Sequence, residues 1–438
     1  MSTSSPAPAA RGSARPKRPS LASIAGPSYF PVSALARLPL SMLSIGILTF
    51  VSSVSGVAVG GAVAAIAGIG VAVGAPILGS ASDRWGQRPT LLLCSIAYSA
   101  ALVWVLVAGS AQDAGAMLSC AAFAAGLTAP QAGPMTRVRW IRRLGGRGPV
   151  EASALDAAQS YESTMDEMSF VFGPAIVGLL AAATTPVVPL WTALILALVV
   201  VPWFALHPTA AAAVPQELGA QPVDSDTGSQ PHVVVPERMP LGLISALLLG
   251  MLSIGIVFGS LATVSTAFAD ETGHSGSGGL VYATMGLTSG LAALSVSRWS
   301  PKFSHSRRWM VCSVVLVAVL CLLWLPEQPW QLSILFLLVG APIGPVLVTV
   351  FAIAGNHTPV RRLGLIMTLL AAGITLGTSI GNWISGALAD ADGHAAALWV
   401  TLGAGILLVL VGSAQAALAA RQRPAAPELG VEGTGKVS

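Results

Sequence analysis

The chain has 438 residues, of which 54% are hydrophobic and only 9% are charged. A water-soluble domain carries about a quarter of its residues as charges. That class is therefore excluded, and the chain reads as an all-α, polytopic membrane protein. Its net charge of +4 comes from basic residues in short stretches beside apolar runs. Such residues orient membrane spans, so no nucleic-acid partner is expected.

Residues 1–27 are rich in Ser, Pro, Ala and basic residues, without an apolar core and cleavage site, and read as a disordered cytoplasmic tail rather than a signal peptide. Apolar segments long enough to span a bilayer follow at 29–51, 55–78, 89–109, 114–137, 152–182, 185–206, 239–268, 278–297, 309–325, 330–355, 362–388 and 394–419. Every Lys and Arg except Arg37 then falls on one side, in the tails, alternate loops or central linker. The opposite loops carry only acids: Asp113, Asp270, Glu271, Glu327, Asp390 and Asp392. This separation predicts twelve spans with both termini cytoplasmic, in an inner (plasma) membrane. The polar stretch 207–238 divides the spans into bundles at 28–206 and 239–420, with a second tail at 421–438.

The halves echo each other. Met42-Leu43-Ser44-Ile45-Gly46-Ile47 recurs as residues 251–256, and Gly173-Pro174-Ala-Ile-Val-Gly178 parallels Gly381-Asn-Trp-Ile-Ser-Gly386 at nearly the same offset. A six-plus-six internal repeat is implied.

The fifth span is unusual because it carries Glu162, Asp166 and Glu167. An acid near the middle of a spanning helix costs about 2.5–3.5 kcal/mol on insertion scales, so it is kept for a purpose. Glu162 and Asp166 are four apart and share a helical face. Arg37, inside the first span, lies at a similar depth, and pairing with Glu162 or Asp166 is expected. The alternative is that Arg37 snorkels back to the interface. The three acids crowd together and should not all be ionised at once. The second half has apolar or hydroxyl residues at the corresponding positions, so ionic work is concentrated in the first bundle.

Between the second and third spans lies Gly79-Ser-Ala-Ser-Asp83-Arg84-Trp-Gly86-Gln-Arg88. It resembles motif A of the major facilitator superfamily, with Gln87 in place of one basic residue. The resemblance covers almost the whole chain and implies two six-helix bundles that alternate access to a central cavity. It further implies that Asp83 reaches the N-terminus of the eleventh helix, near 362–364, and latches the cytoplasmic side. Gly173, Pro174 and Gly178 resemble in part motif C, which accompanies export by antiporters. A helix kink with close packing would account for them equally. Motif B has no clean match, since Ala121 to Met135 carries only Gln131 as a strong polar group. The stretch ARLPLSM with the acidic fifth span looks like a bacterial facilitator subgroup.

The expected activity is movement of a small organic solute, coupled to protons, as an exporter. Uptake symport, facilitated diffusion and a non-transporting receptor stay open. Gln131, Phe258 and Tyr282 are candidate cavity residues. The six His and four Cys lack metal spacing, so no enzyme, metal or cofactor is expected, and the chain should be a monomer in the lipid bilayer.

Overall fold

The computed structural model describes residues 20–55, 57–110, 115–144, 149–213, 239–274, 278–300 and 302–421. Most of residues 1–27, 207–238 and 421–438 lies outside the described residues. Among the described residues, fifteen α-helices run in chain order: α1 (Leu21–Ala25), α2 (Tyr29–Leu35), α3 (Leu38–Ser55), α4 (Val57–Trp85), α5 (Gln87–Ser110), α6 (Ala116–Thr128), α7 (Ala132–Leu144), α8 (Pro149–Ala183), α9 (Val188–Leu206), α10 (Leu241–Glu271), α11 (Gly278–Ser295), α12 (His305–Leu320), α13 (Pro329–His357), α14 (Leu363–Asp392) and α15 (His394–Arg421). Among the described residues, ten segments are long and apolar enough to cross a membrane, with α2 and α3 together making one. The α6–α7 pair and the 16-residue α12 complete twelve.

Two breaks matter for function. The first span bends at Ala36–Arg37 because Pro39 has no N–H and its ring crowds the preceding turn. Arg37 N then bonds Ala34 O at 3.3 Å, and the Ser33 carbonyl takes the Arg37 side chain instead, Nη1 donating at 2.7 Å. The fourth span breaks at Ala129–Gln131, where Pro130 stops α6, and a new helix, α7, runs on to Leu144. The expected end of that span at residue 137 is thereby corrected. Arg137 and Arg139 are helical and buried, not residues of a solvated loop.

Each half has its own apolar core. The first gathers Leu43, Ile47, Phe50, Leu102 and Leu190. The second gathers Met251, Trp309, Phe336 and Leu408, and Val138 and Ile141 of α7 join it from the other half. The repeat is packed differently in the two halves. Gly255 lies against the backbone of Ile374 and Gly377, and Gly381 against Ile256 and Ser260, so α10 and α14 meet backbone to backbone. In the first half Gly46 meets the Leu190 side chain, and α3 approaches α8 where Gly173 faces Ser41.

The segment after α9 also departs from expectation. Residues Pro208–Ala213 form a short 3-10 helix, and His207 and Thr209 are buried. The start of the expected linker is therefore part of the first bundle. Ser20–Gly26 likewise belongs to the fold, as a capped helical turn rather than free tail.

Candidate functional site

The acidic face of α8 meets α2, α3 and α7 in a buried network. Glu162 is 0% exposed and receives four donors. Tyr29 Oη and Trp140 Nε1 donate to its Oε1 at 2.8 and 2.7 Å. Arg37 Nη2 donates to Oε2. The Thr136 hydroxyl lies 2.7 Å from Oε2 and 2.6 Å from Gly133 O, sharing its one hydrogen between them. Four donors saturate the acceptor sites of a carboxylate.

Asp166, one turn further along α8, accepts from Arg37 Nε at 2.8 Å and from Arg137 Nη2 at 2.7 Å. Its side chain is 24% exposed, although both arginines are buried. Gly133 brings α7 close to the pair: a Cβ there would lie 2.6 Å from Asp166 Oδ1 and 3.5 Å from Arg37 Nε. Two acids are thus matched by two arginines. Arg137 is a counter-charge that the sequence reading did not foresee, added to the expected Arg37. Glu167 continues α8, but its side chain lies outside the described residues.

Arg137 also links the halves. Its guanidinium carbon sits 3.7 Å from the ring centroid of Phe351 on α13, close enough for a strong cation–π contact. Gln159 Oε1 and Ser163 Oγ, at 3.0 and 3.2 Å, hold the same guanidinium against α8. The Thr164 hydroxyl bonds Gly290 O of α11 at 3.0 Å.

A second constellation lies at the end where α4 meets α14. Gly364 N and Leu365 N donate to the two carboxylate oxygens of Asp83, both at 2.9 Å, and Arg142 adds a bond at 3.2 Å. An anion here neutralises the positive end of α14. The contact requires bare backbone: a Cβ on Gly79 would meet the Gly364 carbonyl, and one on Gly364 would meet Gly79 O. Gly86 adopts φ +92° and ends α4, which a residue with a Cβ would resist. Arg84 and Arg88 are exposed. Gln87 is buried and bridges Met135 O (3.0 Å) and Arg139 Nε (2.9 Å). A basic side chain at 87 would instead face the Arg139 cation.

The family model of the Major Facilitator Superfamily matches residues 29–303 and 243–436. The chain belongs to this superfamily. No curated protein sequence matches. Among solved structures, the human organic anion transporter MFSD10 (TETRAN) superposes with a TM-score of 0.64 at 16% identity, covering 88% of this chain and 97% of that one. A bacterial homologue of the iron transporter ferroportin, in an outward-facing state with soaked iron, gives 0.64 at 15% identity and covers 89% and 98%. The proton:xylose symporter XylE bound to 6-bromo-6-deoxy-D-glucose gives 0.62 at 13% identity, covering 87% and 94%. At these identities the likeness is one of fold, that of the major facilitator superfamily.

The remaining expected residues are dispersed. Gly173 packs on Ser41, Pro174 lies within α8, and nothing approaches within 4 Å of a Cβ on Gly178. Gln131 is buried at the fourth-span break, bonding Ala129 O at 3.1 Å. Phe258 belongs to the second core, and Tyr282 packs against it. Sequence reasoning missed Tyr29, Gly133, Thr136, Arg137 and Trp140. The run Arg137-Val-Arg139-Trp140 read as a basic loop. The usable signal was the apolar spacing of three and four, Val138 to Ile141 and Trp140 to Leu144, which fits a packed helix.

Proposed function

We propose that this superfamily member is a proton-coupled secondary transporter that exports a small organic solute. The observation that carries the reading is the contrast within the network. Glu162 is sealed and saturated, whereas Asp166 is balanced by two arginines yet partly exposed. Asp166 lies beyond Glu162 on the way from the tail-bearing side, which the basic loops mark as cytoplasmic. It is the group a proton from outside would reach first. Protonation removes one charge from a set of two acids and two arginines. Arg37 Nε and Arg137 Nη2 then lose a charged partner, and Arg137 is free to change its contact with Phe351 on the second bundle.

The Asp83 contacts at the α14 N-terminus hold the tail-side ends of the two bundles together. Loss of the Arg137–Asp166 bond and opening of that latch are the two events that alternating access would couple. The Gly173-Pro174 resemblance favours export, and uptake symport with the same acid is the other reading. The apolar, small-residue character of the spans suits a moderately lipophilic solute. The membrane is proposed to be the inner (plasma) membrane, with the bundles bounded at 28–206 and 239–420 and the chain acting as a monomer.

The test uses reconstituted protein and a solute chosen by thermal-shift screening at two pH values. An imposed pH gradient should drive solute accumulation in the wild type. Asp166→Asn should abolish gradient-driven accumulation while leaving solute exchange at equal pH. Wild-type accumulation by Asp166→Asn overturns the coupling role, and absence of flux for every bound solute overturns transport.

A further inference from the structure

The two halves meet a second time on the tail side, at the pseudo-symmetric counterpart of the Asp83 contact. At Asp83 the end of α4 in the first half reaches the start of α14, the eleventh span. At the counterpart the α11–α12 connection of the second half reaches the early turns of α8, the fifth span. The short 3-10 helix Val296–Arg298 packs on α8, and Leu155 of α8 packs against the second core. The polarity is reversed. Residues 296–304 contain no acid. Arg308, 5% exposed, gathers this connection instead, Nε donating to Phe303 O at 2.6 Å and Nη2 to Ser300 O at 3.4 Å. The acid of the joint comes from the first half: Asp156 on α8, which faces His305 and Arg308.

His305 is the first residue of α12, short of the expected span at 309–325. The titratable and charged groups around its ring are Asp156 from α8, Arg308 one turn on, and His357 at the end of α13. Arg298, Lys302 and Arg307 are exposed. His305 Nε2 is buried and has no hydrogen-bond partner among the described residues. A proton on this ring would set a second cation beside Arg308 against one acid. It would also leave a charged N–H at Nε2 with neither water nor an acceptor. Burial outweighs the attraction of Asp156, Arg308 and His357 act in the same sense as burial, and the imidazole is held below its ordinary 6.5.

We propose that the α8–α12 joint is a proton-sensitive catch: neutral His305 lets the tail side stay closed, and protonation of His305 from that side favours opening. Parting the joint gives Nε2 water, so the open state takes up the proton more readily than the closed one. The ring is less basic in the closed state, so the closed state keeps its full stability above about pH 6.5. It weakens as pH falls further, by at most about tenfold per pH unit. Acid on the tail side thus biases the two bundles towards tail-side opening without any solute. The catch stands whether or not Asp166 couples transport to protons.

Spin labels test it. Arg88→Cys and Arg298→Cys, at exposed residues of the two halves, carry the labels in a full-length parent whose four native cysteines are replaced by alanine. The distance between them is read by electron–electron double resonance in nanodiscs, without solute, at about pH 7.5 and about pH 5.5. The parent's ratio of long to short distances should rise on acidification, by up to about tenfold. In His305→Gln that rise should disappear. Asp156→Asn removes the acid that favours the imidazolium and should make the rise steeper, which a merely structural contact would not do. This variant keeps the test sound if His305→Gln misfolds. In an Asp166→Asn background the rise should persist, which separates the catch from the ion network. No rise in the parent, an equal rise in His305→Gln, a rise left unchanged or made shallower by Asp156→Asn, or one abolished by Asp166→Asn overturns the proposal.

Discussion

Glu162→Gln probes the electrostatics of the network most directly. The glutamine is nearly isosteric, but it replaces one acceptor oxygen with an NH₂ group. All four neighbours of Glu162 are donors: Tyr29, Trp140, Arg37 and Thr136. Whichever way the amide turns, its NH₂ faces two of them. The change also leaves Arg37 and Arg137 with Asp166 alone, one buried positive charge in excess. Removing one member of a buried pair costs about 3–5 kcal/mol. With a six-helix bundle as the unfolding unit, roughly 2–4 °C is lost per kcal/mol, so the apparent melting temperature in detergent should fall by about 6–20 °C. Arg37→Gln alone should be comparably damaging. The double variant, which removes cation and anion together, should recover at least about 1 kcal/mol relative to the sum of the single changes. The assay is a thermal melt of the four proteins in one detergent at one pH. Additive losses, or a Glu162→Gln melt within about 2 °C of wild type, would show that Glu162 and Arg37 are not the coupled pair described.

Gly133→Ala should lower stability by about 1–3 kcal/mol, the range for overpacking, because its methyl would press on Asp166 Oδ1; Gly178→Ala, in open space, should melt like wild type. On the side away from the tails, Glu271 accepts from His394 N at 2.7 Å and from His394 Nδ1 at 2.5 Å, tying the end of α10 to the start of α15. Partial burial pushes the Glu271 carboxyl up, but the two His394 hydrogen bonds and the imidazolium charge outweigh it and hold it below its ordinary 4.5. A depressed carboxyl contributes stability above its unfolded value, which disappears as pH falls through the lower folded one. Wild type should therefore lose melting temperature on acidification below about pH 4.5 more steeply than Glu271→Gln, and the effect is small because Glu271 is 43% exposed. Parallel acid profiles for the two proteins would remove this clamp.

Much of the architecture was legible in the chain itself. Apolar runs, the segregation of Lys and Arg, and the repeated MLSIGI hexapeptide determine a helical membrane protein built on a six-plus-six repeat, because in hydrocarbon every backbone group must bond within its own segment. The acids on α8 were visible for the same reason: a charge stands out against a nonpolar run. Arg37 was visible too, as the one cation set well inside a predicted span rather than at its end. The Asp83 region was legible as a turn between glycines, since only glycine tolerates φ +92° at Gly86.

Composition could not separate a basic loop from a buried basic helix. The run from Arg137 to Arg143 has the same letters in either case, and only packing tells them apart. In the folded chain α7 continues past the Pro130 break, Arg137 meets Asp166 and Phe351, and Arg139 meets Gln87, Thr209 and Phe204. These partners lie from 29 to 214 positions away along the chain, and charge pairing acts through space rather than along it. Sequence alone thus determined that buried acids exist and roughly how deep they lie. Only the tertiary structure decided that two arginines balance them, that Asp166 is the one left partly open, and that a third arginine is buried beside them with no ion pair among the described residues.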